Sequence, residues 1–195
     1  MDTLIFATNN AHKVNEVRTV LKDHWNILSL KEAGINIDIP EPHNTLEANA
    51  REKSFTIFRL TGRDCFSEDT GLETESLSGA PGVKSARYAG ENPSYEDNIK
   101  KLLAALKHKT NRKARFRTVI SLVLNGREHQ FEGICTGVII EEKRGYNGFG
   151  YDPVFVPDGD TRTFAEMNTA EKNIYSHRKK AMEKLISFLA DKNNG

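Results

Sequence analysis

The chain opens with Leu4-Ile5-Phe6-Ala7-Thr8, a short apolar run passing into polar residues, the pattern of a buried strand that leads into a loop. Val14, Val17 and Leu21 then recur at helical spacing, with Lys13, Glu16, Arg18 and Lys22 largely off that face, so strand, polar loop and helix follow in order. Residues 45–60 predict a second helix with Leu46, Ala50, Ser54 and Ile57/Phe58 on one side. Cys65-Phe66-Ser67 predicts a strand running into an acidic turn, and glycine and proline make 78–83 a loop. Ser94 followed by Asp97 resembles a capping box, opening a helix marked by Ile99, Leu102, Leu103 and Leu106. Segments 115–124 and 128–140 are rich in β-branched and aromatic residues, and Asn125-Gly126 between them signals a hairpin. A last helix is expected over 176–190 with Ala181, Leu185 and Leu189 inward. Helices alternate with strands but a long antiparallel hairpin interrupts them, so the expected class is α/β with a mixed sheet. No repeat or low-complexity linker divides the chain, and 1–195 is read as a single domain.

Composition narrows the class. The 195 residues are 37% apolar and 28% charged, a globular balance with enough chain to bury a core. Lysine and arginine (28) nearly cancel aspartate and glutamate (27), which leaves no basic excess for a broad nucleic-acid-binding face. The apolar opening is too short for a signal segment, and no apolar run approaches a membrane span, so a cytoplasmic protein is expected. Cys65 and Cys135 stand singly and far apart, outside any disulfide framework or zinc-type cluster. The six histidines include no pair at metalloprotease spacing, and there is no Gly-x-Ser-x-Gly elbow.

Four polar segments carry candidate chemistry. Thr8-Asn9-Asn10-Ala11-His12-Lys13 lies where a strand meets a helix N-terminus, where unpaired amides and the helix dipole favour anions and Lys13 can reach a phosphate. An ordinary helix cap with a surface lysine is the plainer alternative. Glu68-Asp69-Thr70-Gly71 supplies carboxylates, with Glu41 and Glu47 upstream. Magnesium takes hard oxygen ligands, usually one or two protein carboxylates, and a carboxylate beside it can deprotonate a water. Gly145-Tyr146-Asn147-Gly148-Phe149-Gly150 has the wrong glycine order for a dinucleotide fingerprint and reads instead as a base-stacking loop or a plain turn. Lys172, His177 and Arg178 flank the start of the final helix. Together the segments point to a nucleoside triphosphate and a divalent metal.

These motifs, in this order, resemble the inosine/xanthosine triphosphate pyrophosphatase family over nearly the whole chain. The resemblance also takes in Ile39-Pro40-Glu41, Thr45-Leu46-Glu47-Ala48-Asn49-Ala50, Gly79-Ala80-Pro81-Gly82 and Ser85-Ala86-Arg87-Tyr88. It implies an elongated two-lobed fold around a long mixed sheet, with the active site in the cleft between lobes. It further implies magnesium-dependent hydrolysis of ITP, dITP, XTP and dXTP to monophosphate and pyrophosphate, with manganese able to substitute, and a homodimer. Carried onto this chain, the resemblance implies Asp69 as proton acceptor and metal ligand, and Glu41 as second ligand with Glu47 its rival. Thr8, Asn9, Asn10, Ala11, His12, Lys13 and Thr70 would hold the triphosphate with help from Lys172. Phe149, Gly150, Tyr151 and Asp152 would contact the nucleoside, and His177 with Arg178 would read the base. Many members have Thr-Gly-Asn where this chain has Thr8-Asn9-Asn10. A non-catalytic nucleotide- or RNA-binding regulator is the alternative of a different class, and the acidic set counts against it.

Overall fold

The computed structural model describes residues 3–21 and 25–193; Lys22, expected on the polar side of the first helix, lies outside them. Among the described residues seven strands and five α-helices follow one another, beginning with β1 (Thr3–Phe6), α1 (Ala11–Leu21), β2 (Asn26–Ser29), α2 (Leu46–Thr61), β3 (Cys65–Thr74) and β4 (Pro81–Gly82). After these come α3 (Tyr95–Ala105), β5 (Lys113–Leu124), β6 (Arg127–Ile139), β7 (Phe155–Pro157), α4 (Thr169–Tyr175) and α5 (His177–Asn193). The strands join in one sheet of order β2-β1-β3-β5-β6-β7, with β4 paired to β3. Pairing of β1 with β2 and β3 is parallel, whereas β3–β4 and β6–β7 are antiparallel, so the sheet is mixed as expected. Asn125 and Gly126 both have positive φ (50° and 74°), the two-residue turn that makes β5 and β6 a hairpin. None of the described helices is long and apolar enough to cross a membrane.

Two compact units emerge, Met1–Asp69 with Thr118–Gly133 and Arg178–Gly195, and Thr70–Arg117 with Ile134–His177. In the first unit successive residues of a strand serve opposite faces. Leu4, Phe6, Phe66, Ile120 and Leu122 pack with Val14, Val17 and Leu21 of α1 and with Ala181, Met182, Leu185 and Leu189 of α5. The Phe6 and Phe66 rings stack there at 4.5 Å. On the other face Ile5, Cys65 and Val123 cluster with Ile57 of α2. Thr45 caps α2 by accepting the Ala48 N–H (3.2 Å). In the second unit Leu72, Ala114, Phe116, Cys135 and Ile139 meet Ile99 and Leu102 of α3 together with Phe155 and Phe164. The expected capping box at Ser94 and Asp97 is present.

One expectation is corrected. Glu68-Asp69-Thr70-Gly71 is not a turn but the middle of the ten-residue β3, and Glu68 and Asp69 are buried. Acidic residues are rarely tolerated inside a sheet unless paired, and here each meets buried cations, which a search for turn chemistry does not anticipate. The short β2, and α4 immediately ahead of α5, were not resolved by periodicity. Asn168 caps α4 by accepting the Glu171 N–H (2.9 Å), and Glu171 returns the bond to the Asn168 N–H (2.8 Å).

Candidate active site

In the first unit, β3 brings two carboxylates to two different sets of partners. Asp69 lies on the α2 side. The Lys53 ammonium contacts Asp69 Oδ1 at 3.1 Å and Glu41 Oε1 at 2.6 Å, so the two acids converge on one cation. Asn49, one turn earlier on α2, donates to Asp69 Oδ2 (3.3 Å) and ties down the His43 backbone at both its N–H and its carbonyl. Burial raises the Asp69 pKa; Lys53 pulls it back and the negative Glu41 pushes it further up. Burial opposes the Lys53 charge, but Asp69 and Glu41 outweigh it and hold the ammonium pKa above the ordinary lysine value. A carboxyl whose proton affinity is raised beside a permanently charged lysine is suited to take a proton from water.

Glu68 faces the other way. Its Oε1 accepts from Lys13 Nζ (3.1 Å) and Arg178 Nη2 (2.8 Å), and its Oε2 from Arg178 Nε (2.7 Å). Arg178 Nη1 also donates to Glu16. Burial works against ionised Glu68, yet Arg178 and Lys13 prevail and hold its carboxyl far below the usual range. Upstream, Thr8 Oγ1 accepts the Asn10 N–H (3.2 Å), and Asn10 Oδ1 accepts the Lys13 N–H (3.2 Å), which makes Asn10 the N-cap of α1. Asn9 accepts the Lys31 N–H (2.9 Å), while Ala11 and His12 form the exposed first turn of the helix. Glu47 sits in the first turn of α2, where its charge complements the helix N-terminus.

The second unit holds a separate aromatic and cationic cluster. Gly148 has φ +75°, and a Cβ there would lie 2.0 Å from Asp152 Oδ2, so only glycine lets this chain pass over the carboxylate. That same oxygen accepts the Phe149 N–H (3.0 Å) and the Lys172 ammonium (2.7 Å). Lys172 in turn lies 5.1 Å from the centroid of the Phe149 ring and 5.3 Å from that of Phe164. Gly150 continues the loop with positive φ, and the buried Tyr151 hydroxyl donates to the Ser85 carbonyl (2.8 Å), anchoring it from below. Tyr95 brings a second, half-exposed ring to 6.2 Å from Phe149. His177 stacks on Phe116 at 4.8 Å and 13°. Thr70, the residue after Asp69, opens the second unit's part of β3.

Asp69 and Glu41 therefore meet, as do Lys13 and Arg178 through Glu68. Lys172, expected with the phosphate ligands, keeps company with Phe149 and Asp152. Lys53, Asn49 and Glu16 carry no role in the sequence reading, and Glu68 enters it only as one of the carboxylates of its segment. A signal for Lys53 existed: with Leu46, Ala50 and Ile57 it completes the apolar stripe of α2, and a lysine on a core-facing stripe needs a buried acid to satisfy it.

A helix-capped phosphate-type loop, a pair of acids sharing a buried lysine and a glycine-bounded aromatic loop on a mixed sheet describe a protein that handles anionic nucleotides. Residues 4–188 match the Ham1 family, and the chain belongs to that family. It is 48% identical over 187 residues to the dITP/XTP pyrophosphatase of Christiangramia forsetii, covering 96% of this chain and 98% of that one. Identity to the dITP/XTP pyrophosphatase of Flavobacterium psychrophilum is 50% over 185 residues, with 95% and 97% covered. Among solved structures, a HAM1 protein from Coxiella burnetii superposes with a TM-score of 0.90 at 36% identity, covering 98% of this chain and all of that one. The Staphylococcus aureus Ham1 protein gives 0.88 at 36% identity with the same coverage.

Proposed function

We propose that this protein hydrolyses deaminated purine nucleoside triphosphates, dITP and XTP among them, to the monophosphate and pyrophosphate. The observation that carries the reading is the Asp69–Lys53–Glu41 cluster: two acids, one buried and one part-exposed, around one buried cation, in the same unit as the Lys13 loop. The activity named for the relatives agrees with it. A protein that merely held phosphates would gain nothing from two acids beside them.

In this reading Asp69 orients the attacking water and accepts its proton, and Glu41 keeps the Lys53 charge in place between them. Lys13 and the amides at the start of α1 receive the phosphates, so that positive charge already faces the bonds where negative charge grows. The aromatic loop takes the nucleoside: Phe149 offers its ring to the base, and Asp152 fixes the loop and Lys172 with one oxygen. The donor set fits magnesium, since Glu41 and Asp69 already converge on a cationic group and the ion takes only one or two protein carboxylates. When bound there it would neutralise the phosphates. No cluster of three or more acids, histidines and cysteines that could hold a metal occurs among the described residues, so phosphates and water would complete the shell.

The test is pyrophosphate release from ITP, dITP, XTP, GTP and ATP, with and without magnesium. Turnover of ITP and XTP far above ATP supports the reading, and no pyrophosphate from any of them overturns it. The expected homodimer is part of the same proposal and is checked by light scattering.

A further inference from the structure

Glu68 is fully enclosed, with a side-chain exposure of 0%, and it stands apart from the Lys53–Asp69–Glu41 contacts. Both of its oxygens are used. One lies between Lys13 Nζ at 3.1 Å and Arg178 Nη2 at 2.8 Å, and the other takes Arg178 Nε at 2.7 Å. Arg178 is itself 2% exposed and also donates to Glu16, so its guanidinium plane is fixed by two carboxylates rather than standing loose in a pocket. Lys13 differs, since its side chain keeps 18% exposure. An ammonium has three donors, and one spent on Glu68 leaves others to face an anion arriving at the start of α1.

We infer that Glu68 is a positioning residue for the phosphate grip: anchored by Arg178, its carboxylate holds the Lys13 ammonium at the α1 N-terminus. The chain of support runs from Glu16 to Arg178, from Arg178 to Glu68 and from Glu68 to Lys13, and it spans α1, α5 and β3 within one unit. A free lysine carries several rotatable bonds and gives up side-chain entropy when it binds. Here that ordering is already done by a buried acid with a fixed location, which is what pre-organisation of a binding group requires. The inference deepens the proposed function by assigning a residue to substrate placement.

The sign of one measurement separates this from a bland electrostatic role. Removing a negative charge near an anion site should by Coulomb's law strengthen anion binding, whereas removing a positioning group should weaken it. The probe is inorganic tripolyphosphate, titrated calorimetrically into the protein and into Glu68→Gln, Lys13→Ala and the double variant. We expect Glu68→Gln to weaken binding at least about threefold, and Lys13→Ala to cost much less in the Gln background than alone, as contacting residues couple. Tighter binding by Glu68→Gln, unchanged binding, or losses that multiply independently would each overturn the inference. Should Glu68→Gln fail to fold, Glu68→Asp keeps the charge but shortens the reach by one methylene. Weaker tripolyphosphate binding by Asp supports positioning, and full affinity refutes it. Because the readout is binding of an inorganic anion, it stands apart from nucleotide turnover. Absence of pyrophosphate release from ITP by the unaltered protein would sink the functional reading alone.

Discussion

Replacing Lys53 with methionine removes the cation on which Glu41 and Asp69 converge, with little change in side-chain length. Lys53 is 7% exposed and makes close contacts at 2.6 and 3.1 Å, so both acids lose a charge-assisted partner at once. Removing one member of a buried ion pair costs about 3–5 kcal/mol, because the partner charge stays behind unpaired. The Glu41 side chain keeps 27% exposure and can recover some hydration, which sets the expectation at the lower end, about 3 kcal/mol. For a chain of this size each kcal/mol moves Tm by roughly 2–4 °C, so Lys53→Met should melt about 6–12 °C lower. The sign with pH is determined as well. Asp69 already binds its proton more tightly folded than unfolded, and without Lys53 this difference grows. A carboxyl with a raised folded pKa favours the folded state when protonated and loses that advantage as pH rises through the folded value. The deficit of the variant should therefore be smallest in acid and widen as pH rises. Millimolar magnesium should restore more of the Tm in Lys53→Met than it adds to the unaltered protein, since a divalent ion can supply the missing charge. The assay is scanning calorimetry across pH with and without magnesium. A Tm within about 2 °C of the unaltered protein at pH 8 would show that the acids do not depend on Lys53.

Three further outcomes are expected. Asp69→Asn should lower kcat for ITP at least about 10²-fold, since the amide cannot accept a proton, and a folded variant with near-normal turnover would remove Asp69 from the chemistry. Phe149→Ala should lower kcat/KM for ITP and XTP together while leaving the ITP/ATP ratio in place, because every purine offers a similar face to a ring; a strong shift in that ratio would contradict a stacking role. Burial pushes the Cys65 thiol up to about 12, so the folded protein should resist iodoacetamide at Cys65 at pH 7.5 and react only when unfolded, as peptide mass mapping would show.

The legible parts of this fold were those encoded by local repetition. The α1 face of Val14, Val17 and Leu21, the capping box at Ser94 and the Asn125-Gly126 hairpin each follow from a few neighbouring residues, and each is present. The placement of Thr8–Lys13 at the junction of β1 and α1 was legible for the same reason. What escaped was whatever depends on a partner far along the chain. Glu68 looks like a turn residue until Arg178, 110 positions later, is seen to neutralise it. Lys53 lies on the apolar stripe of α2, but which acids satisfy it is settled only where Glu41 and Asp69 close around it. The β2 strand has only four residues, too short a run to show alternation, and it is defined by its parallel neighbour β1.

The alternation along β3 has a consequence for how this segment can vary. Phe66 and Glu68 belong to the α1 and α5 side, and Cys65, Ser67 and Asp69 to the α2 side, where Ser67 donates to the Ala50 carbonyl. The identity of each acid's partners is thus a matter of odd or even position. Insertion of a single residue between Cys65 and Glu68 would carry the glutamate to the place opposite Lys53 and move the aspartate past it, whereas deletion of one would bring the aspartate, one methylene shorter, opposite Arg178 and take both acids away from Lys53. Point substitutions in this stretch can be graded by size and charge, but a change of length by one cannot. The reading frame of the strand is itself under constraint, and length polymorphism in this protein should be confined to its loops.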